Sequence, residues 1–125
     1  MLERDAATRA LGIEVRDVSV GRATAVMTVT PAMVQGHATC HGGFVFLVAD
    51  TAFAFACNTH GVATVAQGAS VEFVAPAREG DRLVATAVER VRTGRSGVCD
   101  VTVTREADGQ VVAEFRGRSR AVGRR

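Results

Sequence analysis

The sequence predicts a single α+β domain in which a curved antiparallel sheet wraps one long central helix. Three observations predict it. Gly43 to Thr59 is an almost unbroken apolar run, strand-like runs separated by tight-turn residues follow it, and no linker-like segment divides the 125 residues. The domain is therefore expected to occupy residues 1–125 as one unit.

Taken in chain order, Leu2, Ala6, Ala10 and Leu11 share a face at helical spacing, and Gly12 stops the segment, which predicts a short amphipathic helix. Ile13, Val15 and Val18 alternate with polar residues. Gly21 provides a turn, and Ala23, Ala25, Met27 and Val29 continue the alternation toward Pro31, so a hairpin is expected. The segment from Pro31 to His41 has no regular pattern. The apolar run from Gly43 to Thr59 is about 25 Å long as a helix, too long for a strand and short for a bilayer span, and Asp50 inside it disfavours lipid further.

Four strands are predicted next: Val62 to Val74, Arg82 to Arg92, Val98 to Arg105 and Gln110 to Val122. Their connections carry turn chemistry in Pro76 with Glu79-Gly80-Asp81, in Thr93-Gly94-Arg95-Ser96-Gly97 and in Ala107-Asp108-Gly109. An antiparallel sheet is expected.

An apolar content of 47% can supply a real core, and at this length oligomerisation would add useful burial. A net charge of +2 predicts no nucleic-acid partner. The opening MLERDAATRALG carries charges ahead of any apolar run, so neither a signal peptide nor a membrane span is expected and the predicted location is the cytoplasm. Cys40, Cys57 and Cys99 are odd in number and widely spaced, which predicts reduced thiols rather than disulfides or structural zinc.

Chemistry concentrates between His37 and Asp50, HATCHGGFVFLVAD. A carboxylate in an apolar helix is hydrogen-bonded, shifted in pKa, or placed where solvent reaches it, so Asp50 is either a structural partner or a working group. Gly42 and Gly43 mark the helix start. Without side chains there, a carbonyl oxygen can approach the backbone N–H groups, as an oxyanion site for acyl transfer requires; a tight turn is the plainer explanation. Asp50 follows Gly42 by about 12 Å of helix, so one thioester can meet both groups only if a second subunit supplies its own Asp50 across a two-fold axis.

His41 is a candidate donor to the thioester oxygen, and His37 a candidate at the site entrance. His60, at the far helix end, is accounted for by the C-terminal dipole. Cys40 beside His41 lacks a base-orienting third group, and His37, Cys40 and His41 lack a well-spaced fourth ligand, so neither a cysteine nucleophile nor a metal is expected. Arg116, Arg118 and Arg120 alternate along the last strand, and Arg90 with Arg92 along an earlier one. Each set is expected to share a face, either solvated or facing CoA phosphates.

The segment HATCHGGFVFLVADTAFAFACNTHG, followed by Ser70-Val71-Glu72-Phe73 and by Pro76 with Gly80-Asp81, closely resembles phenylacetate-degradation thioesterases of the PaaI type over nearly the whole chain. The resemblance implies the hot-dog fold and hydrolysis of aryl-acetyl-CoA thioesters, of the phenylacetyl-CoA or hydroxyphenylacetyl-CoA type, by homodimers paired into homotetramers, without a cofactor. It implies Asp50 as nucleophile or general base, the Gly42 N–H as the group polarising the thioester carbonyl, and His41 and Thr51 close by, with Gly43 beside the substrate. Gln35 stands where many relatives have Asn, and Gln67 where some carry a small hydroxyl residue; both are substrate-binding candidates. Two other readings of the same fold are an acyl-thioester hydratase or dehydratase and a non-catalytic acyl-CoA-binding module.

Overall fold

A computed structural model describes residues 5–123. Helix α1 (Ala6–Ala10) precedes the hairpin of β1 (Glu14–Ser19) and β2 (Arg22–Thr28). A short 3-10 turn (Pro31–Met33) leads to α2 (Gly42–Cys57), and β3 (Thr64–Phe73), β4 (Arg82–Thr93), β5 (Ser96–Arg105) and β6 (Val111–Ala121) complete the chain. The strands form one six-stranded sheet in the order β1-β2-β4-β5-β6-β3, antiparallel at each junction. Passing from β2 to β3, the chain carries α2 across the sheet, so β3 becomes the edge strand beside β6.

The core is the α2 face turned toward the sheet. Val45, Val48, Ala49, Ala52, Phe53 and Ala56 are buried against the inward alternation of the strands, including Ala25, Met27, Leu83, Ala85, Val101, Val103 and Phe115. Phe115 meets Phe46 edge-on at 5.3 Å between ring centroids and Phe53 at 5.7 Å. Small residues at the inward positions of the strands make room for the helix. At Gly117 a Cβ would stand 2.7 Å from the Phe53 ring, so only glycine lets that ring lie flat on β6.

Several expectations need correction. The first helix is barely more than a turn: Asp5 caps it by accepting the Thr8 N–H at 3.0 Å, Thr8 is the buried residue, and Ala6 and Ala10 are exposed. Leu2 lies outside the described residues. The turn expected over Thr93 to Gly97 is only Gly94-Arg95, with Gly94 at φ +60° as primed hairpin turns need, so Ser96 and Gly97 belong to β5.

A register shift between Glu89 and Val91 separates Arg90 from Arg92. Arg90 reaches Asp100 at 3.0 Å, whereas Arg92 pairs with buried Gly97 and its charge acts on buried Cys57. The two arginines do not share a face. Arg116 and Arg118 do share one, but Arg116 is held by Asp100 at 2.6 and 2.9 Å, and Arg118 lies over Gly68. The Arg116 and Arg90 hydrogen bonds hold the Asp100 carboxyl down at about 2.

The end of α2 is stitched in place by polar contacts. Asn58 donates to Ala54 O and Thr64 O and accepts the Thr64 N–H, tying the helix end to the start of β3. The Gly21 N–H donates to Thr59 Oγ1 at 2.8 Å, and His60 Nε2 sits 2.7 Å from Glu89 Oε1. His60 thus has a specific carboxylate partner that its position at the helix end did not reveal.

Candidate active site

The loop before α2 is held in place by backbone hydrogen bonds. The His41 N–H donates to Met33 O at 2.8 Å and the Cys40 N–H to Ala77 O at 2.7 Å, which fixes where the helix begins. His41 is the N-cap: its Nδ1 accepts the Gly43 N–H at 3.1 Å, so the ring proton resides on Nε2. With the Gly43 donor used, no carbonyl or side chain among the described residues takes the Gly42 N–H. A vacant amide at the positive end of a sixteen-residue helix is a place for developing negative charge.

This amide borders a cleft of about 350 Å³ lined by Thr39, Cys40, Gly42, Val45, Phe73, Val74, Ala75, Pro76, Ala77 and Val112. Phe73, at the end of β3, stands against the helix start. A Cβ on Gly42 would come within 3.0 Å of its ring, so glycine there serves close approach as well as access.

Asp50 projects from α2 about two turns further on. It is half-buried, and no hydrogen bond from the described residues reaches its carboxylate. Burial first, and the negative charge of Asp5 second, push its carboxyl above the usual carboxylate range. Such a group is a better proton acceptor than an ordinary carboxylate once ionised.

Among the other candidates, Gln35 and His37 are exposed on the loop, and Gln35 Nε2 donates to Thr39 Oγ1 at 3.0 Å. Thr51 is buried and its hydroxyl donates to Leu47 O at 2.8 Å within α2. Gln67 is exposed at the irregular point of β3 and lines a separate depression with Arg118 and Ser119. The structure therefore groups His41, Gly42 and Gly43 at the helix start, with Gln35 and His37 on the adjoining loop, while Asp50, Thr51 and Gln67 lie elsewhere in the monomer. Cys40 is buried, and burial raises its thiol.

Two participants escaped sequence reasoning. Asp5 was legible as a cap, three residues ahead of Thr8, but its effect on Asp50 is a tertiary fact. Phe73 stood in the sequence as part of a strand. An aromatic residue shortly before Pro76, at the end of that strand, was the available signal.

A curved antiparallel sheet wrapped around one long helix is the hot-dog fold, and the family this chain matches is one of thioester hydrolases. The thioesterase superfamily family model matches residues 37–112, and the chain belongs to that family. It is 44% identical over 123 residues to the acyl-coenzyme A thioesterase PaaI of Escherichia coli, covering 98% of this chain and 87% of that protein. The solved structure of E. coli PaaI, a protein of the phenylacetic acid degradation operon, superposes with a TM-score of 0.95 over 98% of this chain and 88% of its own. A variant of the phenylacetic acid degradation protein PaaI from Thermus thermophilus matches at 34% identity with a TM-score of 0.90, covering 94% of this chain and 100% of its own.

Proposed function

We propose that this enzyme hydrolyses aryl-acetyl-CoA thioesters, of the phenylacetyl-CoA or hydroxyphenylacetyl-CoA type, to the free acid and CoA. The observation that carries the reading is the pairing of a vacant Gly42 N–H with an unpartnered, half-buried Asp50 on one helix. The E. coli relative, named as an acyl-CoA thioesterase, supports the choice of thioester.

The two groups stand about 12 Å apart along the helix, so a homodimer with antiparallel α2 helices brings the partner subunit's Asp50 to the Gly42 amide. In support, α2 leaves Phe44, Leu47, Ala54 and Phe55 only partly buried in the monomer. Two such dimers pair into a homotetramer. The thioester oxygen accepts the Gly42 N–H, and His41 Nε2–H orients the substrate. Asp50 either adds to the carbonyl carbon directly or takes a proton from a water whose oxygen adds there. In either route the oxyanion collapses, the C–S bond breaks, and the CoA thiolate leaves and takes up a proton; the water route gives the acid at once, whereas the direct route leaves an acyl–Asp50 anhydride that a water hydrolyses to the acid and the free carboxylate. Gln35, His37, Gly43, Thr51 and Gln67 line the approach in the assembled enzyme. No metal or redox group enters these steps. The free, buried thiols suit a cytoplasmic enzyme.

The test is a CoA-release assay over phenylacetyl, hydroxyphenylacetyl, benzoyl and straight-chain thioesters with the wild type and Asp50→Asn. Loss of about 10²–10⁴-fold in kcat is expected for the variant. A folded Asp50→Asn protein that hydrolyses phenylacetyl-CoA normally would exclude the assignment.

A further inference from the structure

We infer that Phe73 is a specificity-determining residue, its ring forming the wall of an apolar cleft that receives the acyl group beside the Gly42 amide. The inference rests on the thioesterase reading above and adds where the acyl portion goes. Phe73 is 56% exposed, unusual for so large an apolar side chain, and its ring edge lies where a side chain on Gly42 would otherwise sit. The ring thus borders the one backbone donor that the helix start leaves vacant.

The cleft's own chemistry says which part of an acyl thioester belongs there. Its side-chain walls are Val45, Phe73, Val74, Pro76 and Val112. Part of its polar backbone is already engaged: the Cys40 N–H is taken by Ala77 O, the Val74 and Ala75 N–H groups by Val112 O, and the Pro76 carbonyl by Arg105. The Thr39 hydroxyl accepts from Gln35. A pantetheine arm has amides that need partners and finds few here, whereas a hydrocarbon or aryl group needs none. A volume of about 350 Å³ lies at the small end of ligand sites, suited to an acyl group rather than a whole CoA. The Phe73 ring also offers an aromatic acyl group an edge-to-face or offset-stacked partner, which an aliphatic chain cannot exploit equally.

The experiment compares Phe73→Ala and the milder Phe73→Leu with wild type, measuring kcat/KM for phenylacetyl-CoA, benzoyl-CoA and straight-chain acyl-CoA thioesters. Far-UV circular dichroism checks the fold, and Phe73→Leu decides if the alanine variant does not fold. Because the CoA moiety is constant across the panel, a change in the ratios reports the acyl side alone. The aryl-to-straight-chain ratio is expected to fall about tenfold in Phe73→Ala and less in Phe73→Leu. Variants that lose activity by one common factor on all substrates, or that keep wild-type ratios and rates, overturn the inference. A wild type that hydrolyses no thioester in the panel overturns the thioesterase reading itself, so the two failures are distinguishable.

Discussion

His60 Nε2 and Glu89 Oε1 lie 2.7 Å apart and close the C-terminal end of α2 onto the irregular stretch of β4. Their side chains are 22% and 9% exposed, so the pair is largely withdrawn from water. Removing one member strands the other.

His60→Ala is therefore expected to destabilise the fold by about 1–3 kcal/mol, the usual cost of leaving a buried polar group without its hydrogen-bond partner. His60→Gln can still donate to the carboxylate and should cost less than half of that. Urea unfolding at fixed protein concentration measures both; equal costs for the two variants would show that packing, not the polar contact, is what His60 contributes.

The charge of Asp5 contributes to the raised carboxyl of Asp50, after burial. In the proposed reaction Asp50 must be ionised to take a proton or to attack, so activity is expected to fall as pH falls through its pKa. Asp5→Asn removes a neighbouring negative charge and makes ionisation easier. The acidic limb of the kcat/KM profile should move to lower pH, while the asparagine side chain still caps α1 by accepting the Thr8 N–H. An unmoved or upward-shifted limb would show that Asp5 has no such influence.

Gly117→Ala places a methyl group 2.7 Å from the Phe53 ring and should cost about 1–3 kcal/mol through overpacking. In a Phe53→Leu background the same substitution should cost clearly less, because the clashing edge is gone. Strict additivity of the two changes in a double-mutant cycle would remove Phe53 as the cause.

How much of this was legible beforehand depends on whether a feature is local. The apolar run Gly43 to Thr59 and the turn residues Gly80-Asp81 and Asp108-Gly109 act through neighbours in the chain, and α2 and the antiparallel strands came out within a few residues of expectation. The paired glycines also marked the helix start. The failures are long-range. Arg90 and Arg92 are separated by one extra residue in a strand, which flips every later side chain and leaves no mark on composition. Ala6 and Ala10 looked like a buried face, yet a helix of little more than one turn presents whichever residue its anchoring dictates, here Thr8. The partnership of His60 with Glu89 and the influence of Asp5 on Asp50 depend on segments that meet only in the folded chain.

The imidazole of His41 fills the Gly43 donor, so a carbonyl arriving at the helix start hangs on a single hook. One backbone hook leaves rotation about it free, and in the proposed reaction the His41 Nε2–H and the contour of the surrounding walls together choose which face of the planar thioester is turned toward attack and hence the handedness of the tetrahedral adduct.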